Sequence, residues 1–227
     1  IGNVTSVLAR VSVEASSRSD IDLLVWNSTT AFTGVKERVR QCTVQTLDLG
    51  SLTPGAKVNV SDEFCQDGAQ LSRVNSTHLL ALHTTVQDQL SVTLLRENLS
   101  VEDAANLSST GIVGASIEQF NESTYVIAAN DAQGDLLLLT ATLNAGSISF
   151  SGVQEIDSAA STRPRTTVQQ GDVVLVAEQG TGNDGFLRSF SMQSSGVLGG
   201  QIDEIEFDTT QALDPTILNI TSKVSIV

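Results

Sequence analysis

The stretch AEQGTGNDGFLRSFSM, residues 177–192, contains Gly180-x-Gly182-x-x-Gly185, the glycine fingerprint of a dinucleotide-binding loop. That chemistry requires a helix after the glycines, whose N-terminus meets the pyrophosphate. The residues after Gly185 are FLRSFSM, which alternate as a strand does, so the motif reads as a hairpin tip and no cofactor is expected. The two histidines, His78 and His83, stand five apart in one strand-like run, which sends them to opposite faces and does not make a two-histidine metal site. Both are read as structural or surface residues. A glycosidase needs two carboxyls converging on a pocket. Glu204, Glu206 and Asp208 instead alternate with Ile205 and Phe207 along one strand, which reads as solvent-facing acids opposite a core face. The tips NDAQGD (Asn130, Asp131, Asp135) and GTGNDG (Asn183, Asp184) offer oxygens of the kind calcium prefers, but without DxDxDG spacing, so Asx turns are the expected reading. No catalytic residue and no metal ligand is assigned.

Modification chemistry is better represented. Asn-x-Ser/Thr occurs at Asn3, Asn27, Asn59, Asn75, Asn98, Asn106, Asn121 and Asn219, eight of the eleven asparagines, none with Pro in the middle. Ser and Thr make up about a fifth of the chain, so chance gives roughly two or three such sites. The excess points to a heavily N-glycosylated chain that is extracellular or displayed at the cell surface. Cys42 and Cys65 have no CxxC spacing and no neighbouring histidine, so a metal or redox pair has little support. A Cys42–Cys65 disulfide is expected, and it suits the same oxidising setting.

The net charge of −14, from 26 acidic against 12 basic residues, repels a phosphate backbone and argues against nucleic acid as a partner. The only lysines are Lys36, Lys57 and Lys223, so no polybasic segment is present to hold an anionic membrane. No apolar run approaches the ~18 residues of a spanning helix, and no membrane insertion is expected. Ile1 stands where an initiator Met would, with no signal-like segment after it, so the chain is read as processed or as a fragment.

The elements that carry these residues repeat. NSTHLLALHTTVQDQLSVTLL (75–95), ESTYVIAANDAQGDLLLLTATL (122–143) and GDVVLVAEQGTGNDGFLRSFSM (171–192) each run polar lead-in, apolar strand, polar tip, apolar strand. Their lead strands begin near His78, Tyr125 and Val173, spacings of 47 and 48. TSVLARVSVEASSRSDIDLLVW (5–26) reads as a further copy and LNITSKVSIV (218–227) as an incomplete last one. Asp157 with Pro164 and Asp208 with Pro215 mark matching connectors between units, since Pro does not donate within a central strand. About four short strands at a period near 50, without sustained helical periodicity, is the arithmetic of a propeller blade. The fold class is therefore all-β, a single propeller domain over 1–227 that is incomplete or completed by a neighbouring chain. Its units are about 1–74, 75–121, 122–170 and 171–216, with a lone strand at 217–227. The first unit is longer, and its excess is placed in 27–74, where the disulfide would staple it.

At YVIAANDAQGDLLLLTATL, and especially at VLVAEQGTGNDGFLRSFSMQSSGVLGGQIDEIEFDTTQALDPTILNI, the sequence resembles the tandem β-propeller repeats of secreted and surface-displayed proteins of archaea and bacteria. The resemblance is good over 171–227, partial over 122–170 and weak before residue 100. It implies a propeller and an extracellular setting, and carries no catalytic residue. TGNDGFL is also faintly similar to the Ser/Thr-x-Asp-x-Gly box of sialidases, with Asn183 in place of the Asp. The first expectation is a structural or adhesive surface glycoprotein without enzymatic role. Its partners would be its attached N-glycans and copies of itself, polymerising into a filament or lattice by strand exchange at the open last strand. The alternative is a secreted carbohydrate-binding propeller or glycoside-acting enzyme. The single Trp26 and single Tyr125 count against it, because sugar sites lean on aromatic faces.

Overall fold

The computed structural model describes residues 21–37, 41–61, 65, 68–85, 87, 89–107, 111–158, 162–169, 172–209, 215, 217–220 and 223–226. Among these residues the chain forms four antiparallel four-stranded sheets, each a meander in chain order. The first comprises β1 (Ile21–Val25), β2 (Thr30–Lys36), β3 (Cys42–Asp48) and β4 (Thr53–Asn59). The second comprises β5 (Gln70–Arg73), β6 (His78–Thr84), β7 (Leu90–Arg96) and β8 (Val101–Leu107). The third holds β9 (Ile112–Gln119), β10 (Thr124–Asp131), β11 (Leu136–Asn144) and β12 (Ser147–Asp157). The fourth holds β13 (Thr162–Gln169), β14 (Val173–Gln179), β15 (Gly185–Met192) and β16 (Leu198–Asp208). A pair, β17 (Ile217–Ile220) with β18 (Lys223–Ile226), comes next as a two-stranded sheet. First strands lie side by side, β1 on β5, β5 on β9, β9 on β13 and β13 on β17, so the sheets radiate from an inner row as propeller blades. The described residues do not close the ring.

Burial follows from this stacking. A second or third strand sits between two neighbouring sheets and must be apolar on both faces, which is why HLLALHT and TYVIAAND are almost wholly buried. Alternate residues then serve opposite interfaces: Leu79 and Ala81 pack toward the first sheet, Leu80 and Leu82 toward the third. Between the third and fourth sheets Val126, Ala128 and Leu138 meet Val174, Val176 and Phe190. Each fully buried side chain of this size contributes about 1.5–3 kcal/mol. Fourth strands have no outer neighbour, and β16 is exposed along most of its length.

The turns repeat more faithfully than the sequence does. Between first and second strands, the N–H groups of Trp26, Val74 and Phe120 donate to the carbonyls of Thr30, His78 and Thr124, each at 2.9 Å. At the tips between second and third strands, Glu37, Thr85, Asp131 and Gly180 donate to Gln41, Gln89, Asp135 and Asp184 at 2.8–3.1 Å. The glycine motif is one of these tips. Gly182 has φ +81°, which a side chain resists, and the chain enters β15 directly.

Several boundaries differ from the sequence reading. The repeats starting near His78, Tyr125 and Val173 begin at the second strand of a sheet, because the first strands lining the axis carry a weaker apolar signal. The described residues of 27–74 supply β2, β3, β4 and β5 rather than an insertion. Residues 21–25 are a first strand, the Glu37 N–H closes the first sheet's tip on the Gln41 carbonyl, and EASSRSD (14–20) lies outside the described residues. The final segment is a hairpin rather than a lone strand. Cys42 and Cys65 are bonded, with Cα atoms 5.7 Å apart. The bridge ties β3 to the connection between the first and second sheets, and Cys65 in turn pairs with Thr85 at the second sheet's tip. Gly34 on β2 allows that connection to approach: a Cβ there would lie 1.9 Å from the Ala69 carbonyl oxygen.

Candidate functional site

The disulfide and Cys65–Thr85 pairing hold the connection after β4 against the tip of the second sheet, and a cleft of about 270 Å³ opens beside them. This is just under the usual range of ligand pockets, about 300–1,000 Å³, and suits one small ring. It is lined by Val60 and Ser61 after β4, His83 and Ser91 on β6 and β7, Thr85, Gln87 and Gln89 of the tip, and Ala104 and Asn106 of β8. Seven of these nine side chains are polar, and none carries a permanent formal charge. Ser61 Oγ accepts the buried N–H of Cys42 at 3.0 Å, and Thr85 Oγ1 accepts from Gln87 N and Gln89 N at 3.3 and 3.2 Å. The rim is therefore held by its own backbone.

His83 is 3% exposed, and its Nδ1 has no hydrogen-bond partner among the described residues. Burial pushes its pKa down to about 4, so the imidazole is neutral at physiological pH, with one ring nitrogen donating and the other accepting. An unpaired buried group of this kind costs about 1–3 kcal/mol. The cleft can thus take a small, uncharged, hydroxyl-rich molecule through neutral donors and acceptors. His83 is buried, as a structural histidine would be, and its place beside the cleft is not legible in the run HLLALHT, which does not tell which interface is open.

The other sequence candidates sit elsewhere. His78 lies at the opposite end of β6, with Nε2 2.8 Å from Glu102 and Nδ1 2.8 Å from Thr77 Oγ1. Trp26 and Tyr125 are core residues, 6% and 0% exposed, and offer no stacking platform. Asp131 Oδ1 accepts from Gln133 N and Asp135 N, each at 2.9 Å, and Asn183 Oδ1 accepts from Gln179 Nε2 at 3.0 Å, so these tip oxygens close their own turns. Ile205 and Phe207 do not form a core face opposite the β16 acids: they are 54% and 37% exposed, because β16 is an outer strand.

Glu204 turns inward to a cluster that the sequence did not reveal. Arg188, 7% exposed, donates from Nε to Glu178 at 2.6 Å, from Nη1 to Glu204 at 2.6 Å, and from Nη2 to Asp157. Burial opposes the guanidinium charge, but Glu178, Asp157 and Glu204 together outweigh it and hold the pKa above its ordinary value. The cluster fills the junction of the third and fourth sheets where the cleft opens between the first and second.

Along the inner row, side chains bind the next sheet's backbone. Asp22 Oδ2 accepts Leu71 N at 2.6 Å, and Ser116 Oγ accepts Thr166 N at 3.0 Å. Glu118 on β9 is pushed up to about 7 by burial, with the nearby Asp22 charge adding to the rise.

No family model matches the chain, and no curated protein matches it. Solved structures do. A triple arginine-to-alanine mutant of AofleA from Arthrobotrys oligospora aligns with TM-score 0.66 at 10% identity, over 94% of this chain and 65% of that one. A point mutant of NanB sialidase from Streptococcus pneumoniae aligns with TM-score 0.56 at 12% identity, over 69% of this chain and 27% of that one. NanB with Optactamide gives TM-score 0.59 at 12% identity, over 78% and 30%. The chain spans less than two-thirds of AofleA and less than a third of NanB. At these identities the likeness concerns the fold, and the fold is a β-propeller.

Proposed function

We infer that the protein is an extracellular carbohydrate-binding propeller whose ligand is a neutral sugar seated in the cleft between the first and second sheets. The observation that carries this reading is the unpaired Nδ1 of buried His83 in a lining of hydroxyls and carboxamides. The likeness to a sialidase supports a sugar ligand by analogy of fold. An acidic sugar fits poorly: no cation is among the described lining residues, and Arg188 is engaged by three carboxylates. The reading is binding rather than hydrolysis, because no carboxylate among the described lining residues stands ready as acid or nucleophile. The Cys42–Cys65 bond fits an oxidising compartment. A glycan array tests it. Retention on neutral glycans and not on sialylated ones is expected, and no retention on any glycan removes the reading.

A further inference from the structure

The turns joining first to second strands and third to fourth strands emerge together on one face of the propeller, opposite the tips. Backbone bonds tie the two sets: Leu49, Glu97 and Leu143 each donate N–H to the carbonyls of Thr29, Thr77 and Ser123 at 2.8 Å. Three of the first turns begin with an asparagine of the Asn-x-Ser/Thr series, Asn27, Asn75 and Asn121, and Asn98 lies in the third turn of the second sheet. Each folds around its own oxygen. Asn27 Oδ1 accepts from Thr29 N and Thr30 N at 2.9 Å, and Asn75 Oδ1 from Thr77 N and His78 N at 2.8 and 3.0 Å. Asn121 Oδ1 accepts from Ser123 N and Thr124 N at 3.0 and 2.9 Å, and Asn98 Oδ1 from Ser100 N at 3.0 Å.

This geometry gives the turns one reason to hold asparagine, but not a sufficient one. The fourth sheet has Gln170 in sequence at the matching place and still keeps the bond from Met192 N to the Asp172 carbonyl at 2.8 Å. The turn also uses the amide oxygen and, among the described residues, leaves the nitrogens of Asn27, Asn75 and Asn98 to other chemistry, while Asn121 Nδ2 donates to the Ser194 carbonyl at 3.4 Å. Asn27, Asn75 and Asn98 are exposed and Asn121 is half-buried. Asn59 and Asn106, by contrast, sit near the other ends of β4 and β8. Asn59 Nδ2 bonds Gln41 at 3.3 Å, and Asn106 lines the cleft.

We propose that the turn face is a modification surface, carrying N-linked glycans on Asn27, Asn75, Asn98 and Asn121. The donor is a lipid-linked glycosyl diphosphate. The asparagine Nδ2 bonds to its anomeric carbon, the C–O bond to the diphosphate breaks with its electron pair going to the leaving phosphate, and one amide proton passes to solvent. The four sites coat one face and leave the tips, with the cleft among them, bare. The assignment stands on the turns and does not depend on what the cleft binds.

Glycopeptide mapping of the full chain secreted through a eukaryotic pathway, after enzymatic release in ¹⁸O water, reads each site separately. Label at all four turn asparagines in most molecules is the expected result. Four unmodified turn sites, or modification confined to Asn59 and Asn106, would overturn it and leave the asparagines as turn formers only. Asn27→Asp, Asn75→Asp and Asn121→Asp retain an acceptor oxygen, so each variant should lose its glycan while secretion and Tm stay close to the unglycosylated parent.

Discussion

His83 and Glu178 occupy the same position in their sheets, each two residues before the residue whose N–H closes the tip, Thr85 and Gly180. One repeat position therefore yields two outcomes. At the first junction a neutral ring is left with an unpaired nitrogen beside a cleft, while at the third a buried carboxylate is joined to Arg188.

Replacing His83 separates function from stability. His83→Phe removes the unpaired Nδ1, and its larger ring can extend into the cleft, so Tm should hold or rise, whereas retention of neutral glycans should fall at least tenfold. Thermal melts and array binding on one preparation check both halves.

The His83 pKa sets the acid limit of binding. Its folded value is depressed from 6.5 to about 4, so the neutral ring contributes stability above pH 6.5 that is lost as pH falls toward 4. Glycan binding measured between pH 8 and 3.5 should stay level to about pH 5 and collapse near 4.

Glu118 works in the opposite sense. Its folded pKa, raised from 4.5 to about 7, favours the protonated acid, so stability is fullest below 4.5 and declines as pH rises through 7. Glu118→Gln should stabilise the protein by roughly 2–3 kcal/mol at pH 8 and by little at pH 4.5, as read by denaturant titration at the two pH values.

Arg188→Met strips the cation from the fully buried Glu178 carboxylate and should cost about 3–5 kcal/mol. Adding Glu178→Gln to it should recover most of that loss, which denaturant midpoints of the single and double variants will show.

Breaking the disulfide should loosen the cleft as well as the fold. Cys42→Ser with Cys65→Ser opens a loop of 23 residues and should cost about 2–5 kcal/mol, with glycan retention lost below the new Tm.

The repeat and the all-β class were legible because second and third strands, packed between two sheets, must read as continuous apolar runs such as YVIAAN and VVLVA. The start of each sheet was not, since first strands as short as QLSR carry little pattern. The disulfide could be read from two cysteines in a chain with no competing partner. The cleft could not. It depends on Ser61, His83 and Asn106, drawn from two strands of the second sheet and from the connection before it, and on one junction being open where its repeat is filled. Arg188 was equally hidden, because its three carboxylates come from β12, β14 and β16.

Nuclear magnetic resonance of the protein labelled with ¹⁵N at histidine is the most direct test of the cleft, because the chain has only two histidines. Titration with a neutral oligosaccharide retained on the array should shift the ring nitrogens of His83 and leave those of His78, at the far end of β6, unmoved. Saturable sugar binding with no change at His83 would contradict the account.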